Sequence, residues 1–363
     1  MLFRSKGINI SINGRDAVLG EYIIRKRMES MGRKNKKRTS IHILIFLVFE
    51  LVFTGITGPF MVYYGPFKNV KSTVVGAAMT TFTLQYLATS FLSDDKIKQI
   101  MSNQKIDIIA QDNSKGVASG VTVKNKNDNC IQRYDVKGKK FKGYLLEVED
   151  PTRLKIGYSS KLGSQGERTS KIAKNNNAIA AINGGAFIDK TSGTLKAGVG
   201  ANPAGVIISK GKVVYDDIKD LNQKRDCVAF TKSGKLLIGP YSINEMKKSV
   251  VTEAVSFGPA MIVNGKKAIT TGDGGWGIAP RTAIAQKKDG TIILLVIDGR
   301  EISSIGATLR DVQDVLYKAG AYNATNLDGG SSSTMFYNNE VINKPCGSEG
   351  ERTVPSIIYV EKR

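Results

Sequence analysis

The sequence predicts an α+β fold, in which an N-terminal transmembrane helix precedes a β-rich domain built on a mixed sheet with few helices. Three observations lead to this prediction. From about residue 120, short apolar runs alternate with Gly, Asn and Asp, a pattern typical of strands joined by tight turns. The chain contains 38 glycines, which indicates many turns and close backbone approaches. One uninterrupted apolar run lies near the start of the chain.

The apolar run, residues 41–64, is about long enough to cross a bilayer as one helix. A basic block at residues 31–38 precedes it and few basic residues follow, which predicts a single-pass protein of the cell membrane with its N-terminus inside and its main domain extracellular. We see no small-residue cleavage site after the run, so an anchor is favoured over a removable signal peptide. The predicted organisation is a basic cytoplasmic segment at 1–40, a transmembrane anchor at 41–66, a juxtamembrane amphipathic region and linker at 67–119, and the main domain at 120–363.

A second apolar stretch, residues 72–92, is rich in threonine. Val75, Met79, Phe82 and Tyr86 share one face of a helix, which predicts an amphipathic helix on the outer membrane surface or on the domain. The alternative is a second membrane span, which would place the main domain in the cytosol. The polar side chains in the middle of the stretch argue against that alternative.

Local patterns in the main domain predict individual elements. Apolar runs predict strands at residues 205–209, 212–215, 235–238 and 292–297, and helical patterns are found at residues 167–174 and 308–319. The second helix has a capping pair, Thr308 and Asp311, and Gly320 lies just past its end.

Charge and histidine content restrict the function. The formal net charge is +21, and residues 101–363 account for +12 of it, so the main domain favours anionic partners. His42, the only histidine, lies in the apolar run, which excludes a Ser-His-Asp triad, a Cys-His pair and a His-ligated zinc site from the main domain. We expect no nucleic-acid partner, because the basic residues lack interleaved aromatic side chains and the predicted topology places the domain outside the cell.

Two segments combine glycine or proline with polar groups at predicted strand ends. A buried strand ends in Asn183-Gly184-Gly185, where the glycines permit close approach to a ligand and Asn183 offers a donor and an acceptor; a plain hairpin turn is the alternative. Arg281 follows Pro280 directly, and its planar guanidinium suits a phosphate group; a surface salt bridge is the alternative.

Two further segments present an aspartate after a strand. Asp298, with Gly299 and Arg300, follows the apolar run 292–297, where a simple turn pair between Asp298 and Arg300 is the alternative. The segment Asp328-Gly329-Gly330 is followed by four hydroxyl residues, 331–334. Successive backbone amides in such a loop can form an anion-binding nest, and a plain turn would not need this combination of residues.

Taken in order, four motifs resemble the phosphodiester glycosidase family over about residues 140–360. They are Asn183-Gly184-Gly185-x-Phe187, Pro280-Arg281-Thr282-Ala283, Asn326-Leu327-Asp328-Gly329-Gly330-x-Ser332 and Arg352-x-Val354. The family includes an enzyme that uncovers mannose-phosphate tags by removing N-acetylglucosamine, and bacterial proteins of an exopolysaccharide biosynthesis branch. Ala186 and Ala285 stand where glycine would be expected, and both are small changes.

The resemblance implies hydrolysis of a glycosyl-1-phosphodiester at the cell surface, in cell-wall or exopolysaccharide metabolism. It implies Asp328 as the leading catalytic carboxylate and Asp298 as the second. The other implied contacts are to phosphate, through Arg281, Arg300, Arg352, Gly329, Gly330 and Ser332, and to sugar or phosphate, through Asn183, Gly184 and Gly185.

Two alternatives stay open at this point. No cofactor is required by the sequence, but Asp298 or Asp328 together with Asn183 could hold a divalent cation such as Ca²⁺. The domain could also be a noncatalytic surface module that binds an anionic cell-wall polymer. The binding-module interpretation is favoured if Asp298 and Asp328 do not share one cleft.

Overall fold

The computed structural model describes residues 14–80, 84–102, 104, 106–111, 118, 120–188, 199–347 and 349–363. It divides into two compact units, one reaching Lys68 and the other formed by Asn69–Arg363. The second unit therefore contains most of the region predicted as a juxtamembrane segment and linker, residues 67–119.

The first unit is a long helix, α1 (Gly14–Tyr64). Among the described residues, its segment Thr39–Tyr64 is the one helix long and apolar enough to cross a membrane. The large apolar side chains of this segment, such as Ile41 and Phe49, are exposed. The predicted N-terminal apolar helix is thus confirmed, with an end two residues before the predicted limit of the anchor.

The second unit consists mainly of short strands. Its helices are α2 (Lys68–Met79), α3 (Tyr86–Thr89), α4 (Asp94–Ser102), α5 (Thr169–Asn175), α6 (Ile243–Lys248) and α7 (Leu309–Lys318), with 3₁₀ turns at Pro151–Arg153 and Gly330–Ser332. Its strands are β1 (Ile131–Lys137), β2 (Lys142–Val148), β3 (Leu154–Tyr158), β4 (Glu167–Arg168), β5 (Ala178–Asn183), β6 (Phe187–Ile188), β7 (Asn202–Pro203), β8 (Val206–Ser209), β9 (Lys212–Asp216), β10 (Arg225–Thr231), β11 (Leu236–Tyr241), β12 (Val251–Ser256), β13 (Ala260–Val263), β14 (Lys266–Lys267), β15 (Arg281–Lys287), β16 (Ile292–Ile297), β17 (Ala321–Leu327), β18 (Met335–Tyr337), β19 (Glu340–Val341), β20 (Thr353–Val354) and β21 (Ser356–Glu361).

Three larger sheets organise these strands. The central sheet has the order β1-β2-β16-β15-β17-β13-β14, the second β11-β10-β12-β8-β9, and the third β19-β18-β5-β21-β3. The β-rich fold with few helices is confirmed. The sheets are not mixed, contrary to what was expected from the sequence: every strand pair among the described residues is antiparallel. Antiparallel strands need only short connections, which agrees with the scarcity of helices.

Strand β16 shows how the core is built. Its six residues are all apolar and fully buried, as expected for a strand covered on both faces. Leu294 and Val296 pack into one core with the other two sheets, while Leu295 and Ile297 pack into a second core under helix α7. The alternation of side chains along a strand therefore supplies two cores from one continuous apolar run.

Most predicted elements are found within a few residues of their expected limits. The strands predicted at 205–209, 212–215, 235–238 and 292–297 correspond to β8, β9, β11 and β16. Helix α7 carries the expected capping box of Thr308 and Asp311. The helix expected at 167–174 begins only at Thr169, because the two residues before it pair as a strand with Thr353 and Val354.

The central sheet brings three of the motifs together. Strand β15 lies between β16 and β17 and runs antiparallel to both, so its first residues meet the last residues of its neighbours. Arg281 is paired with Ile297, and Thr282 is paired with Leu327. The segments after Ile297 and Leu327 therefore leave the sheet beside Arg281.

Helix α2 packs on the loop 273–277 of the domain. Gly76 lies so close to this loop that an added Cβ would be 2.7 Å from the Gly275 carbonyl oxygen. The Thr73 hydroxyl donates a hydrogen bond to Asp273 at 2.9 Å. This agrees with the expectation that the stretch 72–92 lies on the domain, but the predicted apolar face is only partly buried. Val75 is buried, Tyr86 is exposed, and Phe82 lies outside the described residues.

Candidate active site

A cleft of about 480 Å³ opens where strand β15 begins. Its polar side is formed by one carboxyl group, Asp328, and three guanidinium groups, those of Arg281, Arg300 and Arg352. The remaining lining residues are Val74, Ala77, Ala78, Thr80, Leu84, Leu87, Phe187, Trp276, Ile278, Ala279, Gly329, Gly330 and Ser331. Asp328 is the one carboxylate among these described lining residues.

Asp328 leaves strand β17 directly into the cleft. The residue keeps part of its surface accessible, but its Oδ2 atom is enclosed and has no hydrogen-bond partner among the described residues. Burial raises the pKa of Asp328 to about 7, and the nearby Ser332 hydroxyl and the Gly329 amide limit the rise. The Ser332 hydroxyl lies close to the carboxyl without making an aligned hydrogen bond. Asp328 can therefore gain or lose a proton near neutral pH.

The hydroxyl run after Asp328 adds further unused hydrogen-bonding capacity. The side-chain oxygens of Ser332, Ser333 and Thr334 are buried and have no hydrogen-bond partner among the described residues. Buried polar atoms of this kind are uncommon in folded proteins and concentrate at sites that bind something. Ser331, in contrast, lines the cleft and accepts a hydrogen bond from Arg352 at 3.3 Å.

Arg281 is almost fully buried, and most of its donors are used by the protein. Its Nε donates to the Ala307 carbonyl at 3.0 Å, and its Nη2 donates to the carbonyls of Trp276 and Gly277 at 2.8 and 2.6 Å. Burial lowers the pKa of Arg281 to about 10, and the charge of Arg300 acts in the same direction. The guanidinium stays cationic at neutral pH, and its Nη1 makes no hydrogen bond to the described residues.

Arg300 and Arg352 complete the positive side of the cleft. Arg300 is exposed and has a positive φ of 61°, a conformation that is strained for a residue with a side chain. Its Nη2 would be 3.5 Å from a Cβ added to Gly330, so it lies over that turn. Arg352 lies over the Phe187 ring at 4.8 Å, and burial lowers its pKa.

Asn183 lies behind the cleft and is fully buried. Its Nδ2 donates to the main-chain carbonyl of Asp328 at 2.6 Å, and its Oδ1 accepts from the Thr282 hydroxyl and the Thr334 amide. The amides of Gly184 and Gly185 donate to Ser356. The side chain of Asn183 therefore holds the loop that carries Asp328, while the amides of Gly184 and Gly185 bind the start of strand β21.

Asp298 does not line this cleft. Its carboxyl accepts hydrogen bonds from Asn343 Nδ2 and the Lys344 amide, both at 3.0 Å. Burial raises its pKa, and these two hydrogen bonds oppose the rise. The last residues of strands β16 and β17 face opposite sides of the central sheet: Ile297 packs into the core under α7, and Leu327 packs into the other core. The next residues, Asp298 and Asp328, therefore leave the sheet on opposite sides.

Gly329 and Gly330 line the cleft but do not form the predicted anion nest. The Gly330 amide donates to the Pro280 carbonyl at 2.9 Å, and the Gly329 amide is directed at the Asp328 carboxyl. The glycines are needed for close approach, because a Cβ on Gly329 would be 2.9 Å from Pro280 O and one on Gly299 would be 2.8 Å from Pro280 N. Because these glycines lack a Cβ, the loops after β16 and β17 can pack against Pro280, just before β15.

The proposed cation ligands do not fit a metal site. Asn183 Oδ1 already accepts two hydrogen bonds, and Asp298 and Asp328 leave the sheet on opposite sides. No group of three or more His, Cys, Asp or Glu side chains that could hold a metal occurs in the described part of the chain. We therefore assign no step to a cation.

Several residues of the cleft were not predicted from the sequence. Trp276, Ser331 and the apolar residues of α2 and α3 line it, and Asn343 holds Asp298. The one available signal was the motif around Trp276, where four glycines flank a single tryptophan. The segments of α2 and α3 showed apolar character but no pattern that connects them to a site 200 residues later.

Comparisons with known proteins find related sequences and a related fold. The sequence model of the family described as phosphodiester glycosidase matches residues 176–361, just over half of the chain. The SPbeta prophage-derived uncharacterized protein YomE of Bacillus subtilis (strain 168) is 41% identical over 64 residues, 18% of this chain and 10% of that protein. The chain thus matches about a tenth of the length of that relative.

The fold is shared with a solved structure. The catalytic domain of zebrafish N-acetylglucosamine-1-phosphodiester alpha-N-acetylglucosaminidase, auto-inhibited by its pro-peptide, superposes with a TM-score of 0.55 at 22% identity, covering 67% of this chain and 87% of that one. A hypothetical protein from Synechocystis gives a TM-score of 0.49 at 16% identity, covering 64% and 62%. The family match spans all four motifs, and each motif contributes at least one residue to the lining of the cleft. The chain belongs to the phosphodiester glycosidase family.

Proposed function

We propose that this chain is a membrane-anchored hydrolase that cleaves a glycosyl-1-phosphodiester at the outer surface of the cell. The observation that carries the proposal is a cleft whose lining combines one carboxyl group, that of Asp328, with three guanidinium groups. Such a cleft suits a substrate that carries a negative charge beside the bond to be broken. Membership of the phosphodiester glycosidase family supports the reaction class.

The three arginines have different parts in binding the phosphate. Arg281 is held rigidly by backbone carbonyls and offers its remaining nitrogen, Nη1. Arg300 and Arg352 are less buried, and each reaches the cleft from a different loop. Guanidinium groups bind phosphate oxygens with parallel hydrogen bonds, so the arginines would fix the phosphate and stabilise the charge that grows on it.

The reaction needs one water molecule and one base. Asp328 accepts a proton from water, the water oxygen forms a bond to the anomeric carbon, and the bond from that carbon to the phosphate oxygen breaks. The leaving group departs as a phosphate monoester whose added negative charge is balanced by the arginines. A phosphate monoester is a good leaving group, so a second carboxyl group acting as general acid is not required, in contrast to ordinary glycosides.

The raised pKa of Asp328 suits the role of base. A carboxylate with a pKa of about 7 binds a proton more strongly than an exposed aspartate, and it is still largely ionised slightly above neutral pH. No histidine exists in the main domain to take this role. Asp328 is therefore assigned as the catalytic base, and direct attack by water predicts inversion at the anomeric carbon.

The same proposal includes the topology and the setting. The basic block at residues 31–38 before the apolar segment Thr39–Tyr64 favours an N-terminus inside the cell and a domain outside it. A basic domain on the outer surface would meet anionic glycans and sugar phosphodiesters of the cell wall or of exopolysaccharides.

A noncatalytic module that binds an anionic polymer is the second candidate. It is favoured by one observation, that Asp298 lies outside the cleft and leaves Asp328 as the one carboxylate among the described lining residues. A binding module would retain the arginines for affinity but would have no use for a carboxyl group with a raised pKa in the same cleft. We therefore prefer the hydrolase.

The test is turnover of simple substrates by the full chain in detergent micelles. A panel of glycosyl-1-(ethyl phosphate) compounds that differ in the sugar would be assayed for equal release of sugar and ethyl phosphate. We expect turnover of at least one compound, lost in Asp328→Asn and retained in the exposed control Asp135→Asn. Binding of the panel without turnover would favour the binding module.

A further inference from the structure

The cleft has a second side with a different chemistry. Besides the arginines, Val74, Ala77 and Ala78 of α2, Leu84 of the turn before α3, and Leu87 of α3 contribute to its lining. Leu84 and Leu87 remain 41% and 37% exposed, although they are apolar. A ligand that occupies the cleft beside the phosphate site would therefore contact an apolar wall.

The apolar wall is a built part of the domain. Gly277 and Ala77 approach so closely that a Cβ on Gly277 would be 2.5 Å from the Ala77 Cβ. Thr73 donates to Asp273 at the beginning of the same loop. The carbonyls of Trp276 and Gly277, in this loop, accept the hydrogen bonds of Arg281. One loop thus holds both the apolar wall and the cation that faces the phosphate.

We propose that the phosphate of the substrate carries a long hydrocarbon chain, so that the substrate is a glycosyl phosphate ester of a lipid alcohol. This inference rests on the proposed function. The arginines pair with the phosphate, and the hydrocarbon lies along Val74, Ala77, Leu84 and Leu87. Burial of the chain also covers the two exposed leucines, which a polar leaving group would leave in water.

The order of segments along the chain agrees with a lipid substrate. Nine residues lie between Tyr64, where the apolar helix ends, and Val74, where the apolar wall begins. A substrate that is itself held in the bilayer would be delivered to a protein anchored through Thr39–Tyr64. A nucleotide or sugar as leaving group would instead need hydrogen-bonding or charged groups on this wall. Among the described cleft-lining residues between Val74 and Leu87, only Thr80 offers such a side chain.

The test uses binding of the leaving group, which needs no turnover. The full chain would be held in nanodiscs and titrated with ethyl phosphate and with octyl phosphate, corrected for partition into empty nanodiscs. Trp276, the only tryptophan of the chain, lines the cleft and reports occupancy through its fluorescence. Complete burial of one methylene strengthens binding about fourfold, so partial burial of the chain predicts at least tenfold tighter binding of octyl phosphate.

Matched variants distinguish binding of octyl phosphate at the apolar wall from its general partition into lipid. The double variant Leu84→Gln/Leu87→Gln should lose most of the preference for octyl phosphate and bind ethyl phosphate within twofold of the parent. The control Leu221→Gln changes a leucine of the same 41% exposure that does not line the cleft, and it should keep the preference.

Three results would overturn the proposal: equal binding of the two phosphates by the parent chain, an unchanged preference in the double variant, or tighter binding of both phosphates after the double change. The last would mean that α2 and α3 obstruct the cleft. Turnover of glycosyl-1-(ethyl phosphate) is measured separately. Failure of the lipid proposal therefore leaves the hydrolase proposal intact, and failure of turnover leaves the binding test valid.

Discussion

The side-chain amide of Asn183 donates a hydrogen bond to the main-chain carbonyl of Asp328 at 2.6 Å, across 145 positions of the sequence. Asn183 ends a strand of the third sheet and Asp328 follows a strand of the central sheet. The bond therefore fixes the loop of the proposed base to a second sheet. Asn183 is a positioning residue, and its own side chain does not reach the cleft.

The first prediction concerns this residue. Asn183→Ala removes three hydrogen bonds and leaves the Thr282 hydroxyl and the Thr334 amide unpaired in the core. We expect the free energy of unfolding to fall by about 2–4 kcal/mol, measured by denaturant titration. The exposed Asn69→Ala should change it by less than about 0.5 kcal/mol. If Asn183→Ala lowered the free energy of unfolding as little as Asn69→Ala, the two sheets would not be joined through this side chain.

The second prediction compares the two aspartates. Asp328→Asn keeps the size of the side chain and removes its negative charge, so kcat should fall at least about a hundredfold. Asp298→Asn should reduce kcat far less and lower the melting temperature, because the amide cannot accept both hydrogen bonds from Asn343 and Lys344 as well as the carboxylate does. The reverse order of effects on kcat would make Asp298 the base.

The third prediction is a pH dependence of activity. Because the base acts in its ionised form and burial raises its pKa to about 7, kcat/KM should increase with pH and level off above that value. An aspartate with an ordinary pKa would give a profile that is already level at pH 5 to 6. Initial rates between pH 5 and pH 9 would distinguish the two cases.

The fourth prediction follows from the same pKa and concerns stability. The folded-state pKa of Asp328 lies above its unfolded value near 3.8, so the unfolded chain binds fewer protons between these values. Asp328 therefore destabilises the fold increasingly as pH rises from about 4 to 7. The melting temperature of Asp328→Asn should exceed that of the parent, and the difference should widen over this range and stay constant above it. A difference that narrows with rising pH would contradict the assignment.

The fifth prediction uses the strained backbone of Arg300. Arg300→Ala and Arg300→Gly both remove a guanidinium from the cleft, and both should lower kcat/KM with an increase in KM. At a φ of 61°, glycine is relaxed where alanine is strained, so Arg300→Gly should be more stable than Arg300→Ala by about 0.5–1 kcal/mol. Equal stability of the two variants would mean that the backbone relaxes once the arginine is removed.

The sequence was sufficient to predict several of the strands, and the family resemblance implied that Arg281 and Asp328, which line one cleft, belong to one site. A fully apolar run such as Ile292–Ile297 has one plausible structure, and glycine-rich strand ends place polar residues at the edge of a sheet. It was not sufficient to place Asp298. Which side of the sheet a residue faces depends on the register between β15 and its neighbours, and a single sequence does not contain that register.

The contribution of α2 to the cleft could not have been predicted either, and the reason is a different one. Gly76 and Gly275 meet through their backbones, and glycine has no side chain whose pattern could reveal the contact. The stretch was expected on the membrane or on the domain, and only the three-dimensional contacts with loop 273–277 decide for the domain.

The docking of α2 on loop 273–277 also sets where a soluble form of the protein has to begin. A fragment that starts at residue 101 or 120 would lose Thr73 and Gly76, expose the glycines they cover, and loosen the carbonyls that hold Arg281. A proteolytic cut between Tyr64 and Lys68 would instead separate the second unit, with α2 in place, from the apolar helix α1. A fragment that keeps the cleft intact therefore has to begin before Thr73.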